Sequence, residues 1–142
     1  MRDEARTTGF DGVPAHNGML QTIMSLQTMH IQQHRTSWVE NAKIKETGDV
    51  FYFVGCRPYF DVIFLDIDAG SIQGAQQILK ILNLCGVEPV VSNDERCCGH
   101  DALWNGKIGT FKQLAQLNLD TIRSSGAKQV IFSCPEGYHT FK

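Results

Sequence analysis

Two neighbouring cysteines followed at once by a glycine, Arg96-Cys97-Cys98-Gly99, constrain this chain more than any other feature of its sequence. Adjacent side chains close a disulfide with each other only under strain. Both thiolates can instead serve a metal centre, most readily one with several metal atoms to share them. The glycine permits close backbone approach to such a centre. There are five cysteines, Cys56, Cys85, Cys97, Cys98 and Cys134. An odd number, spread this widely, argues against a secreted disulfide scaffold and for metal binding or redox chemistry in a reducing compartment. That reading places the protein in the cytoplasm.

At 142 residues, 42% apolar and 20% charged, the chain suits one globular domain with a proper core. A net charge of −2 gives no reason to expect nucleic acid or an anionic membrane surface. No apolar run approaches the roughly 20 residues of a membrane-spanning helix, so direct membrane insertion is not expected. The start, Met1-Arg2-Asp3-Glu4-Ala5-Arg6, does not read as a signal peptide.

Residues 1–16 carry turn chemistry without apolar periodicity. From Asn17, a candidate N-cap, the spacing of Leu20, Ile23, Met24, Ile31 and Trp38 predicts a helix over 17–38, followed by a polar linker over 41–48. Beyond it, strands and helices alternate. The continuous apolar run at 50–54, stopped by Gly55, reads as a buried parallel strand. Residues 60–68 have strand-like composition in a connecting position. A helix is expected over 71–84 with Gly86 as its stop, then a strand at 88–91. A helical region over 101–125, broken near Asn105-Gly106, leads to a third strand at 128–133 and a last helix after Pro135.

This order predicts an α/β fold, a parallel-sheet Rossmann-like β-α-β-α-β module with an N-terminal helical extension. It also places the cysteines. Cys56 follows the first strand, Cys97 and Cys98 the second, and Cys134 ends the third. In an open α/β sheet the carboxyl ends of the strands form the rim where ligands sit, so four distant thiols would meet at one edge. Helix N-termini after Gly99 and Pro135 would favour thiolate there. Four thiolates can hold one zinc ion or an iron–sulfur cluster. The chain lacks the Cys-x-x-Cys pairs of zinc ribbons, and an adjacent pair grips one tetrahedral ion poorly, which favours the cluster. Zinc and a metal-free thiol-disulfide chemistry are the alternatives.

Phe53-Val54-Gly55-Cys56, Cys97-Cys98-Gly99 and Ser133-Cys134-Pro135 together resemble the cysteine-rich CCG domain of heterodisulfide reductase B and D subunits and related iron–sulfur oxidoreductases, such as glycolate oxidase iron–sulfur subunits. The resemblance divides the chain into an extension or linker helix over 1–48 and a C-terminally incomplete CCG domain over 49–142. It implies that Cys56, Cys97, Cys98 and Cys134 are ligands of an iron–sulfur cluster, in the family an unusual non-cubane [4Fe–4S] cluster or in some modules zinc, with an ordinary four-thiolate cubane also open for this chain. It further implies electron transfer or disulfide reduction inside a multi-subunit oxidoreductase, alongside other redox subunits or a ferredoxin-like or flavoprotein partner. Such a complex can be membrane-associated, with this module peripheral to it. The family pattern closes in Cys-x-x-Cys, and here Gly137 stands at the last position. The resemblance also makes the 20–38 helix a linker from a ferredoxin-like part.

Other polar residues have plainer readings. Cys85 ends an apolar helix face and reads as a small buried hydrophobe. His30 and His34 are four apart on the expected helix with no third ligand, which suits an exposed face. His100 and His139 lie near expected ligands and read as capping or surface groups. Arg57 and Arg96 abut ligands and would offset cluster charge. Asp66 and Asp68 are expected to cap the following helix. No nucleotide-binding glycine motif is present.

Overall fold

Strand β1, Val50–Phe53, is buried almost throughout because its run of apolar side chains has no polar face to offer water. Alternation sends Phe51 and Phe53 to one side of the sheet and Tyr52 and Val54 to the other, and each pair seeds a separate core. The computed structural model describes residues 14–29 and 32–142. The expectations for residues 1–13, His30 and Ile31 therefore lie outside the described residues.

β1 pairs in parallel with β2, Gln129–Phe132, in the register Val50 to Gln129 through Phe53 to Phe132. On its other edge β1 meets a single residue. Val90 donates its N–H to the Val50 carbonyl (2.7 Å), and its carbonyl accepts from Tyr52 (2.9 Å). Pro89 faces the opposite edge, where its carbonyl accepts from the Lys45 N–H (3.0 Å). The fold is thus α/β with a two-stranded parallel sheet and a bridge at Val90. The strand expected at 88–91 is no strand, and a three-stranded Rossmann-like sheet is not established.

Helices cover both faces of this sheet. On the Phe51 and Phe53 side lie α1 (Met19–Leu26), α4 (His100–Trp104) and α5 (Ile108–Ser124), contributing Met24, Ala102, Leu114 and Ile122 to the core. On the other side, α3 (Ser71–Leu84) packs Ala75 and Leu79 against Tyr52 and Val54, with Trp38 and Val39 beside them. The bounds of α3, the break between α4 and α5 at Asn105-Gly106, and the start of α6 (Pro135–Phe141) agree with the sequence reading.

Three local expectations fail for identifiable reasons. The helix expected over 17–38 ends at Leu26, and Trp38 sits in a separate single turn, Ser37–Val39. Continued helically, the eight steps from Gln27 to Arg35 would rise about 12 Å. Instead Arg35 Nη1 reaches to 3.4 Å from Gln27 Oε1, because both side chains serve buried partners elsewhere. Asn17 is not a side-chain cap, since Gly18 occupies that position. Residues 57–67, whose composition left strand and connection both open, form helix α2 (Arg57–Ile63) and a turn, Leu65–Ile67. Their apolar content is turned outward, with Val62, Leu65 and Ile67 at 77%, 76% and 72% exposure. Nor do Asp66 and Asp68 cap α3. That role falls to Asp61, whose Oδ1 accepts the Ile72 N–H at 3.0 Å.

Candidate metal centre

The loops that leave β1, Val90 and β2 deliver their cysteines to one rim. Cys56, Cys98 and Cys134 line a cavity of about 260 Å³ together with Arg57, Ser71 and Gly137. Cys97 lies behind it, buried in the core, with its thiol between those of Cys56 and Cys98. The rim expected from strand order is therefore present, although one of its three strands is reduced to a bridge. Cys85 stands apart on the C-terminus of α3 and is exposed, which corrects its reading as a buried side chain.

Each thiol loop is braced by buried hydrogen bonds. Gly55 adopts φ +68°, a left-handed conformation that suits glycine, and turns the chain from β1 into Cys56. Glu95 holds that turn, with its carboxylate accepting the Val54 N–H at 3.1 Å and the Gly55 N–H at 2.6 Å. Arg35 completes the brace through Glu95 Oε1 (3.0 Å) and the Gly55 carbonyl. The double-cysteine loop is held at Cys97, whose N–H donates to Gln27 Oε1 at 2.7 Å. Asn118 of α5 accepts the Arg96 N–H (2.7 Å) and donates to the Cys97 carbonyl (3.0 Å). At Gly99, φ +81°, an added Cβ would lie 3.1 Å from the Phe111 ring, so helix α5 packs directly on this turn.

Arg57 joins two loops. Its guanidinium donates to the carbonyls of Ser71 (2.9 Å) and Ser133 (2.8 Å), tying the Cys56 turn to the residue before Cys134. Gly74 makes this possible, because a Cβ there would come within 2.8 Å of Arg57 Nη1. Arg96 instead folds back on its own loop, donating to the Asp94 carbonyl at 2.9 Å. His100 lies 3.8 Å from the Asp101 carboxylate, and His34 and His139 are exposed.

The thiols differ in acidity. Cys97 lies within hydrogen-bonding reach of both neighbours, and this holds the thiols of Cys56 and Cys98 below the usual cysteine range in spite of burial. The same contacts, reinforced by burial, keep Cys97 protonated well above it. Burial and a hydrogen bond to Glu136 push Cys134 up to about 11. Its Sγ lies 3.0 Å from Glu136 Oε2. In the metal-free protein near neutral pH, iodoacetamide should therefore label half-buried Cys56 well before Cys134, and Cys97 last. Peptide mass spectrometry of a time course checks that order, and equal rates at Cys56 and Cys134 would contradict it.

Among the described residues, no three His, Cys, Asp or Glu side chains form a group that could hold a metal ion as they stand. Cys56 and Cys134 are the N-caps of α2 and α6, and Cys98 stands one residue before the N-cap of α4.

The family described as a cysteine-rich domain, CCG, matches residues 50–142, which include all four rim thiols. The chain belongs to the CCG cysteine-rich domain family. The chain is also 28% identical over 111 residues to the D subunit of the dihydromethanophenazine:CoB–CoM heterodisulfide reductase of Methanosarcina barkeri, covering 75% of this chain and 25% of that protein. The corresponding Methanosarcina mazei protein is 29% identical over 111 residues with the same coverage. For the Methanosarcina acetivorans protein the figures are 29% over 108 residues, 72% and 24%. The chain spans about a quarter of the length of these curated relatives. No solved structure matches it significantly.

Several residues that shape this CCG centre escaped the sequence reading. Asn118 carried a usable signal, since it interrupts the apolar i, i+4 row of Leu114 and Ile122. Glu95, Arg35 and Gln27 carried none, because each meets its partners only across the fold.

Proposed function

We propose that this CCG domain is an iron–sulfur electron-transfer module of a heterodisulfide reductase-like oxidoreductase, with Cys56, Cys97, Cys98 and Cys134 as the cluster ligands. The convergence of four thiols from three separate loops on one rim carries this reading. The segment order further supports a Rossmann-like module whose middle strand is reduced to Val90. When bound, the [4Fe–4S] cluster supplies one-electron steps at a potential set by charge and hydrogen bonds around the sulfurs.

The chain's own residues do the rest. Glu95, Gln27 and Asn118 hold the ligand loops by their backbone, and Arg57 brings positive charge to the cavity wall while fixing the Cys134 loop. Burial of Cys97 and Cys98 keeps bulk water from that side of the centre. The partners are other redox subunits, a ferredoxin-like protein or a flavoprotein, and the compartment is the cytoplasm or the cytoplasmic face of a membrane-associated complex. Among the described residues no helix is long and apolar enough to cross a membrane.

Anaerobic purification with metal and sulfide analysis and a visible spectrum tests the proposal. About four irons and four sulfides per chain are expected. One zinc without sulfide would make this a structural or docking module. Neither metal, with alkylation-sensitive activity, would make it a thiol-disulfide protein.

Gly137 adds a second check. A Cβ there would make ordinary contacts with Phe132 (3.5 Å) and Cys134 (3.8 Å), so Gly137→Cys is expected to fold and to offer a fifth thiolate. The visible and electron paramagnetic resonance spectra of the loaded protein should change. Unchanged spectra would put position 137 outside the coordination sphere.

A further inference from the structure

The family match begins at residue 50, yet the thiol loops are held in part by side chains that precede it. Gln27 and Arg35 are 4% and 6% exposed, an uncommon burial for such polar groups, and both point at the site. Gln27 Oε1 accepts from the Cys97 N–H at 2.7 Å and lies 3.4 Å from Arg35 Nη1. Arg35 Nη2 donates to the Gly55 carbonyl and to Glu95 Oε1. Glu95 then accepts the Val54 and Gly55 N–H groups. A continuous buried path therefore runs from the Cys97 backbone through Gln27, Arg35 and Glu95 to the turn that carries Cys56. Gln33 braces the same path from outside, donating to the Glu95 carbonyl (3.2 Å) and accepting from the Tyr59 hydroxyl (2.8 Å).

We infer that Gln27 and Arg35 are positioning residues of the thiol centre, which set Cys97 against Cys56 before any metal arrives. The inference rests on the proposed thiol centre but does not require that the centre hold iron. It also changes the expected role of these two residues, which brace the domain from within rather than lie on a linker outside it. Hydrogen bonds to charged groups in a buried setting are the strong ones, and a donor left there without an acceptor is costly. Loss of the Gln27 carbonyl should therefore loosen the Cys97 loop specifically.

The test uses the full chain, metal-free, under reducing conditions. Gln27→Leu removes the acceptor at similar volume. Val39→Ala is the control, because Val39 is buried and also precedes residue 50 but belongs to the core on the other face of the sheet. Iodoacetamide labelling of Cys97 is measured relative to Cys134 by peptide mass spectrometry. Gln27→Leu is expected to raise that ratio about tenfold, and Val39→Ala to leave it near the wild-type value. If Gln27→Leu fails to fold, Gln33→Ala, half-buried at the edge of this path, is used instead, with the Cys56 to Cys134 ratio as its readout. A wild-type ratio in Gln27→Leu or, where that variant is unfolded, in Gln33→Ala would overturn the inference, as would an equal rise in Val39→Ala. Should the wild-type chain carry no iron, the functional proposal fails alone, because the labelling ratio is read without metal.

Discussion

Arg35→Met should lower the folding stability of the metal-free protein by about 3–5 kcal/mol, the cost typical of leaving one member of a buried ion pair without its partner. Arg35 and Glu95 are almost fully buried, and the variant strands the carboxylate with two backbone donors. The loss should depend on pH in a defined direction. Burial already pushes the Glu95 carboxyl up, against the downward pull of Arg35 and of the Val54 and Gly55 amides. Without the guanidinium it rises further. A carboxyl raised in the folded state favours folding below its unfolded pKa, and that benefit is lost as pH climbs through the folded value. The variant's deficit is therefore greatest near neutrality and shrinks on acidification. Urea denaturation of both proteins at about pH 7 and about pH 5 measures it. A deficit that does not change with pH would mean that lost packing, rather than an unpaired charge, is responsible. Adding Glu95→Gln to Arg35→Met should recover part of the stability, since it removes the stranded charge.

Cys97→Ser and Cys98→Ser are each expected to abolish metal loading, whereas Cys85→Ser should load like the wild type. Cys98 faces the cavity with Cys56 and Cys134, and Cys97 joins Cys56 to Cys98 from behind. Cys85 is exposed at the end of α3, outside the cavity that Cys56, Cys98 and Cys134 line. Iron and sulfide per folded chain, after anaerobic reconstitution, is the measurement. Equal iron content in all three variants would sink the ligand assignment.

What could be read in the sequence depended on how local its cause was. Helix α3 was legible because Ile72, Ala75, Ile78, Leu79 and Leu82 fall on one helical face and Gly86 ends it. The rim of cysteines was legible because each follows an apolar run stopped by a turn. Helix α2 was obscured by Val62, Leu65 and Ile67, apolar residues that the fold leaves outside, where periodicity carries no core signal. The length of the first helix was misjudged because Trp38 happened to continue its spacing, while the break is imposed by Arg35 turning inward to partners 20 and 60 residues away. The middle strand was overread because the run at 88–91 looks like a buried strand, although of these residues Val90 alone bridges to β1. Bracing residues such as Glu95 are recognisable only by what surrounds them.

The bond from Arg57 to the Ser133 carbonyl also bears on how the protein is made. During synthesis a ribosome adds about 5–20 residues per second, so Cys56 emerges seconds before the stretch that carries Ser133 and Cys134. Through that interval Arg57 has no β2 loop to grip, and the first three thiols wait in an open shell. Closure of the rim is therefore a late event in folding, complete once the loop after β2 has docked.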